Sequence, residues 1–223
     1  KVFDTVIPYE KYLGDTEIFA DAGVLFDPTA KHNDKSINYS NNLCSINTVK
    51  TLIKAHIPVR MITRSTFDKY GSCKVIVASD IKRANPKIKE KLFEYVNNGG
   101  CLYISGVLDE YTADFLGVKL KAITEESETY IVPEDGSGGI FNTFNKKSPL
   151  HTYYRQQFVV PDNAEILAYI GRTYTLPKDR KFASIHSNPP GKTEQYPSVI
   201  KVNKGKGKVL WSAVPIENEE RIA

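Results

Sequence analysis

The chain has 223 residues, a formal net charge of +4, 41% hydrophobic residues and 25% charged residues, which is typical of one globular domain or two small ones. This apolar content can bury a substantial core and therefore excludes a disordered or collagen-like chain. The most apolar runs, such as Val75–Ala78, are far shorter than the roughly 20 residues of a membrane-spanning helix, so no membrane span is expected. The 30 basic residues are balanced by 26 acidic ones, unlike the clustered basic surface of a nucleic-acid-binding protein.

The start of the chain predicts a lead-in segment. It begins at Lys1 with no initiator Met and no basic-then-apolar signal segment, so we expect a processed protein or a piece of a longer one. Residues 1–20 mix Pro8, Gly14 and several charges without a sustained period, and we interpret them as a lead-in or linker. We interpret residues 21–223 as a single domain, because no linker separates its two halves.

The cysteines favour neither a metal site nor a disulfide framework. Cys44, Cys73 and Cys101 are odd in number and lack Cys-x-x-Cys spacing. We therefore predict three small, buried, apolar residues.

The first third of the chain predicts a strand, a helix and a second strand. Ala22–Phe26 is a short apolar run that ends at Asp27-Pro28, which is typical of a buried strand followed by a turn. Val59–Thr63, directly after Pro58, is typical of the next strand. Between them, apolar residues at three- and four-residue spacing predict the buried face of a helix: Leu43, Ile46, Val49, Leu52 and Ile53.

Residues 74–105 predict a strand–helix–strand unit with short joints. Val75–Ala78 and Cys101–Ile104 are apolar runs typical of buried parallel strands. The helix between them begins at an Asn85-Pro86 cap and ends at Gly99. Two such units in series predict an α/β protein with a flavodoxin-like three-layer αβα architecture and a mainly parallel sheet.

The second half is predicted to be rich in β-structure. After a short helix at Asp109–Leu116, strand patterns dominate up to a terminal hairpin. In that hairpin, Val199–Val202 and Lys208–Trp211 flank the glycine-bearing loop Asn203–Gly207. The other predicted strands cover residues 129–132, 158–160, 166–170 and 183–186.

Polar residues follow the predicted strands at their carboxyl ends, where ligands bind in an open parallel sheet. These candidates are Asp27 and His32 after the first strand, Asp80 after the third and Ser105 after the fourth. Asp80 could orient a ligand hydroxyl or a base, and the alternative is that it only satisfies backbone groups at the strand end. For Asp27 the alternative is an ordinary turn.

Ser105 lies where a nucleophile elbow would lie, between a strand and a turn. The elbow pattern Gly-x-Ser-x-Gly is absent, because Tyr103 and Val107 stand at the glycine positions. A serine nucleophile also needs a histidine base and an acid to orient it, and nothing in the sequence connects a histidine to Ser105. These features disfavour a serine hydrolase.

Neither a metal nor a cofactor is expected. His32 and Asp34 could lend two ligands to an ion, but no second cluster has the spacing of a zinc site. The lysines of residues 201–208 could meet phosphate or an acidic partner, although a solvated turn is the default interpretation. The first strand is followed by Asp27–Ala30 and not by a glycine-rich phosphate loop, which disfavours a flavodoxin-type nucleotide binder.

Residues 74–106 resemble a stretch of the class I glutamine amidotransferase-like superfamily. Tyr95 to Gly106 follows the pattern F/Y-V-x-x-G-G-x-L-x-x-x-G, after a matching strand and helix. Within that superfamily the chain is most similar to the trimerisation-type domain that follows the catalytic barrel in family 42 β-galactosidases and related glycoside hydrolases. The resemblance extends over roughly residues 20–216 through four flanking motifs: Ala20–Phe26, Ala55–Val59, Phe115–Val118 and Asn203–Trp211.

This resemblance does not imply amidotransferase activity. Those enzymes place a cysteine at the elbow after this strand and a His-x-Glu pair further along the chain. Here Ser105 or Gly106 stands at the elbow, and Cys101 lies upstream at the start of the strand. None of the four histidines has Glu two residues later. The chain therefore resembles a degenerate, non-catalytic member.

The resemblance implies a non-catalytic accessory domain of a larger carbohydrate-active enzyme, a glycoside hydrolase. Such a domain mediates subunit assembly, or packs against the catalytic barrel and shapes the entrance to its active site. The implied partners are the barrel of the same polypeptide and further copies of the chain in a homo-oligomer. A periplasmic or secreted location is slightly favoured for the same reason.

The alternative is a self-standing ThuA-like enzyme or sugar-binding protein. The ThuA-like group shares the fold, and Ser148–His151 is loosely similar to the His-Pro motif of that group. Such a protein would use the crevice at the carboxyl ends of the strands. Its ligand-binding candidates are Asp27, His32, Asp80, Ser105 and His151.

Overall fold

The computed structural model describes residues 2–14, 19–28, 41–70, 73–136, 139–184 and 186–219. Its α-helices are α1 (Val2–Val6), α2 (Glu10–Leu13), α3 (Asn41–Lys54), α4 (Phe67–Tyr70), α5 (Pro86–Asn97) and α6 (Glu110–Leu116). Its first strands are β1 (Ala22–Leu25), β2 (Val59–Ile62), β3 (Val75–Ala78), β4 (Cys101–Ser105), β5 (Val118–Ile123) and β6 (Thr129–Pro133). The later strands are β7 (Leu150–Thr152), β8 (Gln157–Pro161), β9 (Glu165–Thr173), β10 (Pro190–Lys204) and β11 (Gly207–Ser212). Short 3-10 helices cover Ile7–Tyr9, Ile81–Arg83 and Ile216–Asn218.

One mixed sheet of nine strands organises the molecule, in the order β2-β1-β3-β4-β11-β10-β9-β6-β7. The first five of these strands pair in parallel, and the rest pair antiparallel. A separate antiparallel pair, β5 and β8, lies outside this sheet. The predicted α/β class, with a parallel first half and a β-rich second half, is confirmed.

Helices α5 and α6 pack on one face of the parallel strands and enclose the main core. The Asn85 side chain caps α5 by accepting the amide of Lys87 at 3.0 Å, as its sequence predicts. The helix ends just before Gly99, whose φ of 116° suits glycine. The largest fully buried side chains of this core include Ile76, Ile88, Leu92, Ile104 and Trp211.

Helix α3 is present where the sequence predicts it, but the prediction of its buried face is wrong. Leu43, Ile46 and Ile53 are 47%, 46% and 59% exposed. Val49 and Leu52 are half-buried. The apolar stripe of the helix therefore faces outward, away from the sheet that it covers.

Small and polar residues occupy the inner face of α3 instead. The Ser45 hydroxyl donates to the Leu25 carbonyl at the end of β1, at 2.9 Å. The buried Thr48 hydroxyl donates to the Cys44 carbonyl at 2.8 Å and lies 3.4 Å from the Ser79 hydroxyl. Because these hydrogen bonds satisfy polar groups at the strand ends, they fix the rotation of the helix and expose its apolar side.

The second half contains more pairing than the sequence predicts. The β10–β11 hairpin is confirmed, and Lys204 pairs with Gly207 across a tight turn in which Gly205 has a φ of 53°. β10 runs from Pro190, well before the predicted start, and β5 and β7 are additional strands. The strand predicted at 183–186 is wrong for its described residues, which contribute only an isolated Ser184–Ser187 bridge.

The predicted lead-in contains the two short helices α1 and α2, joined by a 3-10 turn. Its apolar side chains are largely exposed, with Phe3 at 83% and Tyr12 at 66%. No helix in the described part of the chain has both the length and the apolar character to cross a membrane.

Candidate functional site

The crevice beyond the carboxyl ends of β3 and β4 brings two predicted site residues together. Asp80 follows β3 and adopts the left-handed region, with a φ of 49°, which is uncommon for a residue other than glycine. Its backbone amide points at the Ser105 hydroxyl, 3.4 Å away, and its carboxylate pairs with Arg83 at 3.2 Å. Asp80 and Ser105 thus lie side by side at the edge where ligands bind in this architecture.

A glutamate from a distant part of the chain hydrogen bonds to the residues of this crevice. The 3-10 helix Ile216–Asn218 places the Glu217 carboxyl group against the strand ends. Ser105 Oγ donates to Glu217 Oε1 at 2.7 Å, and the Tyr103 hydroxyl donates to Glu217 Oε2 at 2.9 Å. Ser79 also hydrogen bonds to this carboxyl group. Among the described residues Ser105 therefore donates its hydroxyl to an acid, whereas an activated serine nucleophile donates to a base.

Burial is the largest cause of the pKa shifts in this cluster. Burial raises the pKa of the Glu217 carboxyl group above its ordinary value, although the hydroxyl hydrogen bonds oppose the shift. Burial, together with the Glu217 charge, raises the pKa of the nearby Cys44 thiol to about 12. The Asn218 side chain donates to that sulfur at 3.0 Å. Cys44 is consequently a protonated thiol at neutral pH and not a reactive thiolate.

Asp27 has a structural role at the end of β1. It is 2% exposed, and its Oδ2 accepts the backbone amide of Asn85, the cap residue of α5, at 2.8 Å. The carboxylate thereby joins the first strand to the amino end of α5, where negative charge is favourable.

Replacing Asp27 by alanine is expected to lower the free energy of unfolding by about 2 kcal/mol, because the Asn85 amide loses its acceptor. Urea denaturation followed by circular dichroism measures this change. The matched control is Asp68→Ala, whose carboxylate lies on the surface in an exposed pair with Lys91 and should cost less than about 1 kcal/mol. Equal effects of the two substitutions would contradict the structural role of Asp27.

His151 makes its contacts on β7 and not at Ser105. His151 on β7 places Nε2 2.8 Å from Glu128 Oε1, and its ring contacts Tyr130 and Tyr153 at centroid distances of 4.9 and 4.7 Å. The predicted candidate His32 lies outside the described residues. His151 is thus tied to an acidic side chain and two aromatic rings and does not reach the Glu217 cluster.

A second feature is an open cleft that includes Asp80, with a volume of about 900 Å³. Its floor consists of Asp80, Gly106 and Ala213, beyond the ends of β3, β4 and β11. Its walls come from the segment after β3, the β5–β6 loop and the β7–β8 turn, which contribute side chains that include Arg83, Glu125, Tyr153, Tyr154 and Arg155. We refer to this feature as the strand-end cleft.

Sequence reasoning identified Asp80 and Ser105 but missed Glu217, Tyr153 and Arg155. Glu217 lies more than one hundred residues from its partners, and no local pattern marks a single carboxylate as buried. Tyr153 and Arg155 are in a turn whose path depends on pairing between β6 and β7. The only nearby signal was Ser148–His151, which directed attention to His151.

Comparison with solved structures places the fold among glycosidase domains. The chain aligns with α-L-fucosidase isoenzyme 2 from Paenibacillus thiaminolyticus at a TM-score of 0.68 and 16% identity, covering 96% of this chain and 32% of that one. It aligns with a catalytic mutant of Gan42B, a GH42 β-galactosidase from G. stearothermophilus, at a TM-score of 0.61 and 13% identity, covering 95% and 30% of the two chains. The predicted resemblance to family 42 β-galactosidases and related glycosidases is thus confirmed at the level of fold.

The same fold also occurs in a smaller protein. Cytoplasmic protein STM1381 from Salmonella typhimurium LT2 matches at a TM-score of 0.56 and 13% identity, covering 86% of this chain and 87% of that one. No protein-family model matches the sequence, and a search of curated proteins gave no match. The chain spans only about 30% of the length of the glycosidases, which fits a partial domain of a larger polypeptide.

Proposed function

We propose that the chain is a non-catalytic accessory domain of a larger carbohydrate-active enzyme, a glycoside hydrolase. The chain resembles one part of the matched glycosidase chains, which supports its assignment to a larger carbohydrate-active enzyme. The hydrogen bond from Ser105 to the Glu217 carboxyl group supports a non-catalytic role, since it engages the hydroxyl that stands at the predicted elbow.

The outward apolar face of α3 is the observation that carries the proposal. Leu43, Ile46 and Ile53 extend along one side of the helix, and Ile57 follows at 39% exposure. Met61 on the edge strand β2 is 41% exposed on the same side of the sheet. Exposed apolar side chains grouped on one element in this way support an interaction site.

The occupant that we assign to this surface is the catalytic barrel of the same polypeptide. Roughly two-thirds of each matched glycosidase lies outside the aligned region, so a large neighbour would be covalently attached and present at high effective concentration. Docking there would position the domain beside the barrel, where it could shape the entrance to the active site. Assembly of further copies is the second role within this proposal.

The intact mass and full reading frame of the native gene product test directly whether the chain is part of a larger enzyme. We expect a product far larger than 25.0 kDa, with a barrel-sized segment of about 250 residues or more. A native product near the mass of this chain would remove the catalytic partner and overturn the accessory role.

Hydrogen exchange tests the docking surface. In the native product, amides of residues 43–57 should exchange at least about tenfold more slowly than in the isolated chain. The double substitution Ile46→Asp and Ile53→Asp should abolish that protection. The matched control Ile140→Asp, at an isoleucine that is 51% exposed in another segment, should preserve it.

Two outcomes would contradict docking on the barrel. Equal exchange rates in the native product and the isolated chain would show that nothing covers α3. Protection that grows with protein concentration, together with a larger mass in light scattering, would assign the surface to a second copy of the chain.

The strand-end cleft favours one alternative, a self-standing ThuA-like enzyme or sugar-binding protein. The match over most of a small Salmonella protein is compatible with a chain of this size acting alone. Of the predicted ligand-binding candidates within the described residues, Asp80 alone lines the cleft directly. The mass measurement above separates this alternative from the accessory role.

A further inference from the structure

We infer that the strand-end cleft is a binding site for a neutral sugar, held by the Tyr153 ring and by the charged side chains of Asp80 and Arg155. The choice of a sugar rests on the proposed carbohydrate-active context, whereas the site itself rests on the geometry of the cleft. Its volume of about 900 Å³ lies within the range of small-molecule sites.

The cleft is formed in advance by hydrogen bonds among its walls and floor. The Gly106 amide donates to the Ser212 carbonyl at 2.9 Å, and Trp211 Nε1 donates to the Gly106 carbonyl at 3.0 Å. Thr124 and Gln156 exchange two hydrogen bonds of 2.9 and 3.0 Å, which join the loop after β5 to the start of β8. A site with such fixed walls loses little conformational entropy when a ligand binds.

Aromatic rings supply the apolar surface that a sugar ring requires. Tyr153 is 67% exposed, so its ring remains accessible in the folded chain. Its orientation is fixed from behind by the edge-on contact with His151, whose imidazole lies 2.8 Å from Glu128. Tyr154 adds a second, half-buried ring to the same wall. Tyrosine suits this role because it offers an apolar face together with a hydroxyl that donates and accepts hydrogen bonds.

The cleft presents charged side chains of both signs to a ligand. Asp80 and Glu125 contribute carboxylates, and Lys82, Arg83 and Arg155 contribute cations. Asp80 pairs with Arg83, and Glu125 pairs with Lys178 at 2.7 Å, so both carboxylates of the cleft already have a cationic partner. Carboxylates accept hydrogen bonds and guanidinium groups donate them. Together they can pair with the hydroxyls of a pyranose ring, which both donate and accept.

The experiment is saturation-transfer NMR of the chain with galactose, L-fucose and, as an anionic probe, inorganic phosphate. These sugars are chosen because the matched structures are a β-galactosidase and an α-L-fucosidase. We expect one of the sugars to bind with a dissociation constant of about 1 mM. Tyr153→Ala and Arg155→Ala should each weaken that binding at least about tenfold, and Tyr153→Phe, which retains the ring, should weaken it less.

The matched control is Tyr174→Ala, since Tyr174 is also exposed, at 49%, and does not line the cleft. Amide spectra of every variant verify that it is folded. Absence of binding by both sugars at about 50 mM, equal weakening by the control, or preferential binding of phosphate would each overturn the inference. The outcome is independent of the accessory role, because the mass of the native product is not measured in this experiment.

Discussion

Replacing Trp211 by alanine is expected to destabilise the chain by about 3–5 kcal/mol, the largest loss for any single side chain considered. Trp211 is fully buried on β11, and it packs in the core that α5 and α6 cover. Its indole N–H also donates to the Gly106 carbonyl at the floor of the strand-end cleft. The substitution leaves a cavity and an unsatisfied carbonyl together. Urea denaturation at neutral pH measures the loss.

Two further variants separate these contributions. Trp211→Phe retains most of the apolar volume but removes the donor, so its cost should be smaller, about 1–3 kcal/mol. Phe182→Ala provides the surface control, because Phe182 is 93% exposed and should change the stability by less than about 0.5 kcal/mol. A cost below about 1 kcal/mol for Trp211→Ala would contradict its placement at the centre of the core.

Replacing Glu217 by alanine is expected to cost about 2–4 kcal/mol, because the Tyr103 and Ser105 hydroxyls lose their acceptor. Glu217→Gln has nearly the same shape and no charge. Burial raises the pKa of Glu217 in the folded chain, so the folded state binds the proton more tightly than the unfolded state. The wild type should therefore lose stability relative to Glu217→Gln as the pH rises from the ordinary value of 4.5 towards the higher folded pKa.

Urea denaturation of both proteins at pH 4.5, 6 and 7.5 tests this sign, with conditions chosen around the ordinary glutamate pKa. The difference in unfolding free energy should change in favour of Glu217→Gln at the higher pH values. A wild type that gains stability relative to Glu217→Gln over this range would mean that hydrogen bonds outweigh burial. In that case Glu217 would be an ordinary stabilising carboxylate.

The parts of the fold that the sequence predicts correctly are those with strong local signals. Val75–Ala78 and Cys101–Ile104 are apolar runs, and the Asn85-Pro86 cap and Gly99 define the helix between them. All of these features appear at the predicted positions. Local patterns suffice there because strand composition, an Asn-Pro cap and a glycine helix end each act through a few adjacent residues.

The features that the sequence does not predict share one cause, because they depend on contacts between residues far apart in the chain. Periodicity identifies α3, but its rotation is set by hydrogen bonds from Ser45 and Thr48 to strand ends, which a hydrophobic pattern does not encode. The pairing of Glu217 with Ser105 spans a sequence separation of 112 residues. Predicted site residues at strand ends were found because topology alone places them there, whereas Tyr153 and Arg155 depend on the path of a turn.

The position of β11 has a consequence for the synthesis of the protein. β11 inserts between β4 and β10, so among the described residues the parallel and antiparallel halves of the sheet pair through Gly207–Ser212. Until those residues leave the ribosome, the nascent chain exposes the unpaired edge of β4 together with the cavity that Trp211 later fills. Unpaired edges of this kind associate readily with other chains. This fold is therefore most vulnerable to aggregation in the interval between the translation of β4 and that of β11.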